Sequence, residues 1–155
     1  QNIYNGNVIR AADNACGSEE VPQPVGHPKT AIQWPITPDA LYWGPKFLYE
    51  RYKTPFMITE NGMSNPDSPD ENGEVRDDVR ISYMDDYLRN LKRAIGEGIP
   101  VLGYQHWSLM DNFEWAEGYE PRFGIVYVDF ETGKRTIKAS GHHYKDIIES
   151  NGAGI

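Results

Sequence analysis

FMITENG, Phe56 to Gly62, is an apolar, β-leaning run that ends abruptly in Glu60, Asn61 and Gly62. Apolar residues followed at once by a carboxylate and a turn pair predict a buried strand that delivers Glu60 to its exposed end. The C-terminal ends of strands are where α/β proteins keep their chemistry. A carboxylate there is held rigidly enough to act as nucleophile or base, and Gly62 can take φ > 0 or let a ligand approach the backbone. The plainer alternative is that Glu60 is only the first polar residue of a loop.

Working outward on the N-terminal side, Thr37, Pro38 and Asp39 read as a helix start, with Thr37 as N-cap and Pro38 at the first helical position. Leu41, Leu48 and Tyr52 mark one face. Gly44 and Pro45 interrupt it, so one short turn is expected first and the main helix from about Pro45. Residues 10–35 carry Pro22, Pro24, Pro28 and Pro35 among Gly and polar residues, which is loop composition. Trp34 at the end of that loop must either tuck into the core or wait for a ligand. Before the loop, QNIYNGNV (Gln1 to Val8) reads as a strand end carrying Tyr4.

On the C-terminal side, residues 63–75 form another Pro, Asp and Gly-rich loop, and Asp77 caps a longer helix ending near Gly98. Tyr83, Tyr87, Leu88, Leu91, Ala94 and Ile95 recur along it at helical spacing. IPVLGYQHW, Ile99 to Trp107, is a second strand. Its exit carries Trp107, Ser108, Asp111, Asn112, Glu114, Trp115 and Glu117, a dense cluster of carboxylates and indoles for a solvated loop. Ile125 to Phe130 and Arg135 to Ile137 flank a turn and predict a small hairpin. A last helix over about Lys138 to Ser150 buries Ala139, Tyr144, Ile147 and Ile148, and the Gly-rich tail should fray. The repeated βα order implies an α/β fold with a parallel sheet or barrel in a single domain, with Glu60 and the Trp107 to Glu117 loop on one face.

A net charge of -8, with scattered cations, offers no basic stripe for phosphates, so nucleic acid is not an expected partner. No apolar run approaches the length of a spanning helix, so no membrane partner is expected. Cys16 is the single cysteine, so no intrachain disulfide framework is available. Cytoplasmic localisation is the expectation, although the chain begins at Gln1 and a leader or a larger N-terminal portion can be missing.

A carboxylate beside indoles and further carboxylates suits glycoside chemistry, in which one carboxylate attacks the anomeric carbon and aromatics stack on the sugar. Tyr4 can approach the same strand end and hydrogen-bond Glu60. A metal site from Asp111, Glu114, Glu117 and His106 is the competing reading, but their spacing matches no ligand signature, so no metal and no cofactor are expected. His142 and His143 diverge on a helix, and Cys16 has no nearby His to activate it.

ITENG at Ile58 to Gly62, WSLMDNFEWAEGY at Trp107 to Tyr119 and RFGIVYVDF at Arg122 to Phe130 resemble the C-terminal signatures of glycoside hydrolase family 1, the β-glucosidases and their relatives. The resemblance runs from Asn2 to about Ile148. It implies a (β/α)8 TIM barrel of which residues 1–155 are the C-terminal part, about the last three βα units, of an enzyme roughly three times as long. It implies retaining hydrolysis of terminal β-D-glucosyl residues from β-glucosides or cello-oligosaccharides, as in cellulose degradation. Glu60 would be the nucleophile and Tyr4 its hydrogen-bond partner, with Ile3 replacing the middle Tyr of the family's Asn-Tyr-Tyr segment.

The same resemblance implies that Asn2, Trp107, Glu114, Trp115 and Phe123 bind the sugar and that Trp34, in QWPITP, faces the aglycone; Gln33 and Thr37 depart from the family's GWPIYP-type segment. The family's acid/base Glu lies in a Thr-Phe-Asn-Glu-Pro type motif, which does not occur here. The expected partners are therefore a small β-glucoside and either an N-terminal portion of the same enzyme or a second copy, and the chain alone is expected to be inactive. A non-catalytic sugar-binding module and a structural fragment are the alternatives.

Overall fold

A computed structural model describes residues 1–155. In chain order the elements are β1 (Val8–Ala11), β2 (Ser18–Val21), α1 (Ala40–Tyr52), β3 (Phe56–Asn61), α2 (Asp78–Gly96), β4 (Val101–His106), a 3-10 turn (Trp115–Glu117), β5 (Val126–Val128), β6 (Arg135–Ile137) and α3 (Ala139–Glu149). β3 and β4 pair in parallel, with Ile58 opposite Tyr104 and Asn61 opposite His106. Asn2 extends this pair by a parallel bridge to Glu60, and Ile3 N donates to Glu60 O at 3.0 Å. The sheet thus runs from the N-terminal segment through β3 to β4, joined by α2 as a crossover.

The helical spacing of Tyr83, Met84, Tyr87, Leu88 and Leu91 gives α2 one apolar face, and that face closes over Leu41 from α1 and Ile58 from β3. Burying a large apolar side chain contributes about 1.5–3 kcal/mol, so this one cluster decides how the helices sit on the sheet. Two tyrosines in it also carry hydroxyls to polar partners. Tyr87 Oη donates to Tyr4 O at 2.9 Å and Tyr83 Oη to the same oxygen at 3.3 Å.

Several expectations are corrected. α1 does not wait for Pro45: it starts at Ala40 and runs through Gly44 and Pro45, the proline ring being buried. Pro45 lies in the second turn, where one lost backbone bond is offset by packing of the ring. Thr37 does not cap it. Its Oγ1 accepts from Gly6 N at 2.9 Å, tying the helix entry to the N-terminal segment instead. Asp77 stands at the N-cap of α2 but makes no side-chain cap bond, because its carboxylate is taken by Arg80 and Ser140.

Residues 10–35 are not uniformly loop either, since β1 and β2 pair as an antiparallel ladder there. The hairpin buries almost nothing, so it has no apolar alternation to betray it. Ile95 and Ile148, read as core, are exposed. The tail is held rather than frayed: Lys92 Nζ donates to Gly152 O and Ile155 O, and Ile155 packs on the core.

Candidate active site

Glu60 is the penultimate residue of β3 and is half-buried. Tyr4 Oη donates to its Oε2 at 2.7 Å. That contact exists because the parallel bridge between Asn2 and Glu60 sets the N-terminal segment in register, while Tyr87 and Tyr83 hold the Tyr4 carbonyl from below. Burial first, then the bond to Glu60 and the charges of Glu60 and Glu114, push the Tyr4 hydroxyl far above its ordinary value. Tyr4 therefore stays a donor throughout the working pH range.

Asn61 turns the chain at this point. Fully buried, it donates to Ile3 O at 2.8 Å and to Tyr83 Oη at 3.1 Å, and it accepts from Tyr104 Oη at 2.8 Å, so one amide locks three elements behind Glu60. Gly62 does not take a positive φ and does not make room for a ligand. A Cβ there would collide with the carbonyl oxygen of Trp107, so the glycine lets the exit of β4 lie directly on the exit of β3. Asn61 O completes that junction by accepting from Trp107 N at 2.8 Å. The Trp107–Ser108 peptide is cis.

The loop after β4 brings Glu114 towards Glu60. The Trp107 indole lies beside the Glu114 carboxylate. Burial first, with the like charges of Glu60 and Glu117, raises the Glu114 carboxyl above its ordinary value against the opposing influence of Trp107. Glu60, Glu114, the Tyr4 phenol and the Trp107 indole thus converge, and Trp34 and Phe123 pack edge to face on Tyr4 at centroid distances of 5.2 and 6.5 Å and on each other at 6.2 Å. Carboxylates among aromatic rings can bind hydroxyls through the former and the apolar faces of a sugar ring through the latter.

Other residues singled out in the sequence are placed differently. Trp115 is 79% exposed, standing on the 3-10 turn away from the packed cluster. The Asn2 side chain is taken up by Thr59, whose Oγ1 donates to Asn2 Oδ1 at 2.6 Å. No three His, Cys, Asp or Glu side chains form a group that could hold a metal ion. Asp111 is instead bound by Lys138 and Arg122, His143 meets Asp85 at 2.7 Å, and Cys16 is exposed. Two grooves of about 620 and 560 Å³ lie along α1, around Trp43 and Phe47, and Glu60 lines neither.

Sequence reading took Asn61 as only a turn residue, Tyr87 as only a helix-face residue and Lys138 as only a helix start, and it did not single out Asp67 or Arg80. A charged residue inside an otherwise apolar helical stripe, as Arg80 is in α2, was the available signal.

The sequence profile of glycosyl hydrolase family 1 matches residues 3–153. Beta-glucosidase A of Thermotoga maritima is 49% identical over 126 residues, which cover 81% of this chain and 28% of that protein. The 1,4-beta-D-glucan glucohydrolase of Thermotoga neapolitana is 44% identical over 152 residues, 97% of this chain and 34% of that protein. A solved structure of beta-glucosidase from Thermotoga maritima in complex with glucoimidazole superposes with a TM-score of 0.86 at 44% identity, covering 96% of this chain and 33% of that one. The chain spans about a third of the length of these relatives.

Proposed function

The chain belongs to glycosyl hydrolase family 1, and from that premise we propose that it is the C-terminal part, about the last three βα units, of the (β/α)8 barrel of a retaining β-glucosidase. The substrate is a terminal β-D-glucosyl residue of a β-glucoside or cello-oligosaccharide, a reading favoured by the names of the relatives above. The observation that carries it is the Tyr4–Glu60 hydrogen bond at the end of a parallel strand.

In this reading Tyr4 occupies Glu60 Oε2, which leaves Oε1 to attack the anomeric carbon. The bond from Oε1 to carbon forms as the glycosidic carbon–oxygen bond breaks, and the leaving oxygen takes a proton from a second carboxylic acid. Water then attacks the same carbon, gives its proton to that second group, and releases glucose and the Glu60 carboxylate. Glu114 and Trp107 hold the sugar hydroxyls and ring, with Trp115 and Asn2 at the edge of the site; Phe123 lines it and Trp34 faces the aglycone.

A retaining pair stands roughly 5–5.5 Å apart across the glycosidic bond. In this reading Glu114 is taken up by sugar hydroxyls, and the Thr-Phe-Asn-Glu-Pro type motif that carries the family's acid does not occur in residues 1–155. The acid therefore comes from an upstream portion of the enzyme, and the isolated chain does not turn over glycosides. General acid catalysis alone supplies about 10²–10⁴-fold.

The test is labelling by a 2-deoxy-2-fluoro glucoside with an activated leaving group, in the chain alone and in the chain completed by its upstream portion, followed by peptide mass mapping. A label on Glu60 in the completed enzyme, with turnover there and not in the lone chain, is the expected result. Turnover by the lone chain that survives Glu60→Ala defeats the reading.

A further inference from the structure

Beneath the candidate site lies a chain of six charged side chains of alternating sign. Asp77, Arg80, Asp67, Lys138 and Asp111 have no exposed side-chain surface in their ion pairs, and Arg122 at the end is 15% exposed. Arg80 Nε donates to Asp77 at 2.8 Å and its Nη2 to Asp67. Lys138 Nζ donates to Asp67 at 2.5 Å and to Asp111 at 2.8 Å, and Arg122 Nη1 closes the chain on Asp111 at 2.7 Å. Three cations meet three anions, so the buried charge sums to zero.

Stability is a poor explanation for such a chain, because apolar residues of equal volume generally hold a core as well or better. Its remaining bonds point elsewhere. Arg80 Nη1 donates to Met63 O, three residues beyond Glu60, and Nη2 also donates to Arg122 O, beside Phe123. Asp111, three residues before Glu114, accepts from Gly124 N at 3.0 Å and Val128 N at 3.3 Å. The loop that follows Glu60 and the loop that carries Glu114 and Phe123 are therefore each tied to the chain by directional bonds. Apolar burial is non-directional and cannot fix how far these loops slide past one another, whereas charge-assisted bonds can.

We infer that Lys138 is a positioning residue: by bridging Asp67 and Asp111 it sets the loop bearing Trp107 and Glu114 against the strand bearing Glu60. Its Nζ bridges a carboxylate of the loop after β3 and a carboxylate of the loop after β4, and its own backbone N is pinned to Ile125 O at 3.0 Å. The inference rests on the functional reading above. A site whose groups must hold their geometry to within about half an ångström loses rate when such support loosens, even though Lys138 touches no substrate.

The test compares the completed enzyme with Lys138→Met and with the charge-balanced pair Lys138→Met plus Asp111→Asn, active sites being counted by stoichiometric labelling with a 2-fluoro glucoside. Lys138→Met should raise KM and lower kcat/KM per counted site at least tenfold, and the double variant should regain thermal stability without regaining kcat/KM. Wild-type kcat/KM per counted site in either folded variant overturns the inference, since a purely structural lysine changes the number of sites and not their quality. Should Lys138→Met yield no folded enzyme, Arg122→Lys carries the same expectation and the same contrary result. A wild-type enzyme that turns over without labelling at Glu60 defeats the nucleophile assignment instead, and the Lys138 comparison is then read from KM and kcat on folded protein.

Discussion

His106 shows how a single side chain can carry a pH dependence unrelated to catalysis. It sits at the end of β4, one residue before Trp107, with its Nε2 buried and without a partner. Its other nitrogen lies 3.4 Å from Tyr104 Oη, the Tyr144 ring is 6.1 Å away, and Arg80 and Lys138 supply the nearby charge. Burial first, then those two cations, lower the imidazole from 6.5 to about 3. The folded protein therefore resists a proton that the unfolded chain accepts, so stability is lost as pH falls below 6.5 and the loss continues down to about 3. The slope is about 1.4 kcal/mol per pH unit. Replacing His106 by Leu should make the enzyme less acid-sensitive by about 2 kcal/mol between pH 6.5 and 5. Denaturant unfolding at the two pH values measures this, and equal acid sensitivity in the two proteins rules it out.

At the scale of elements, the junction of β3 and β4 depends on Gly62 for space and on Asn61 for bonds. Gly62→Ala drives a methyl group into the Trp107 carbonyl, and backbone on both sides must move. A cost of about 3 kcal/mol is expected, the upper end for overpacking. Gly96→Ala at the end of α2 is the control, because open space surrounds its Cβ and a helix gains up to about 1 kcal/mol from the exchange. Melting curves of the two variants should move in opposite directions; a Gly62→Ala enzyme that melts with wild type would contradict the steric account. The sequence announced Gly62 as special through its place after Glu60. It could not say what approached it, because the Trp107 carbonyl arrives from forty-five residues away.

The whole molecule leaves two flanks open. The N-terminal segment and β4 each pair on one side only within the sheet around β3, while Leu102 on β4 is 70% exposed and Trp43 and Phe47 stack on the outer face of α1. Unpaired edges beside apolar surface associate. The lone chain should run in size-exclusion chromatography well above its 17.6 kDa, and an upstream barrel portion should convert it to a one-to-one particle. A stable lone monomer that ignores that portion counts against the barrel reading. The sequence by itself determined the elements with strong periodicity, β3 and α2, and the family, because the run of apolar residues into Glu60 and the signatures after Trp107 are contiguous and local. It placed Glu60, Tyr4 and Glu114 in one motif set. Tertiary structure alone decided that Gly62 serves Trp107 and that Asp67, Arg80, Asp111 and Lys138 form one buried chain. Those partners lie up to 71 residues apart, and a charge alone in sequence carries no mark of the charge it will meet once burial has removed water as the alternative partner.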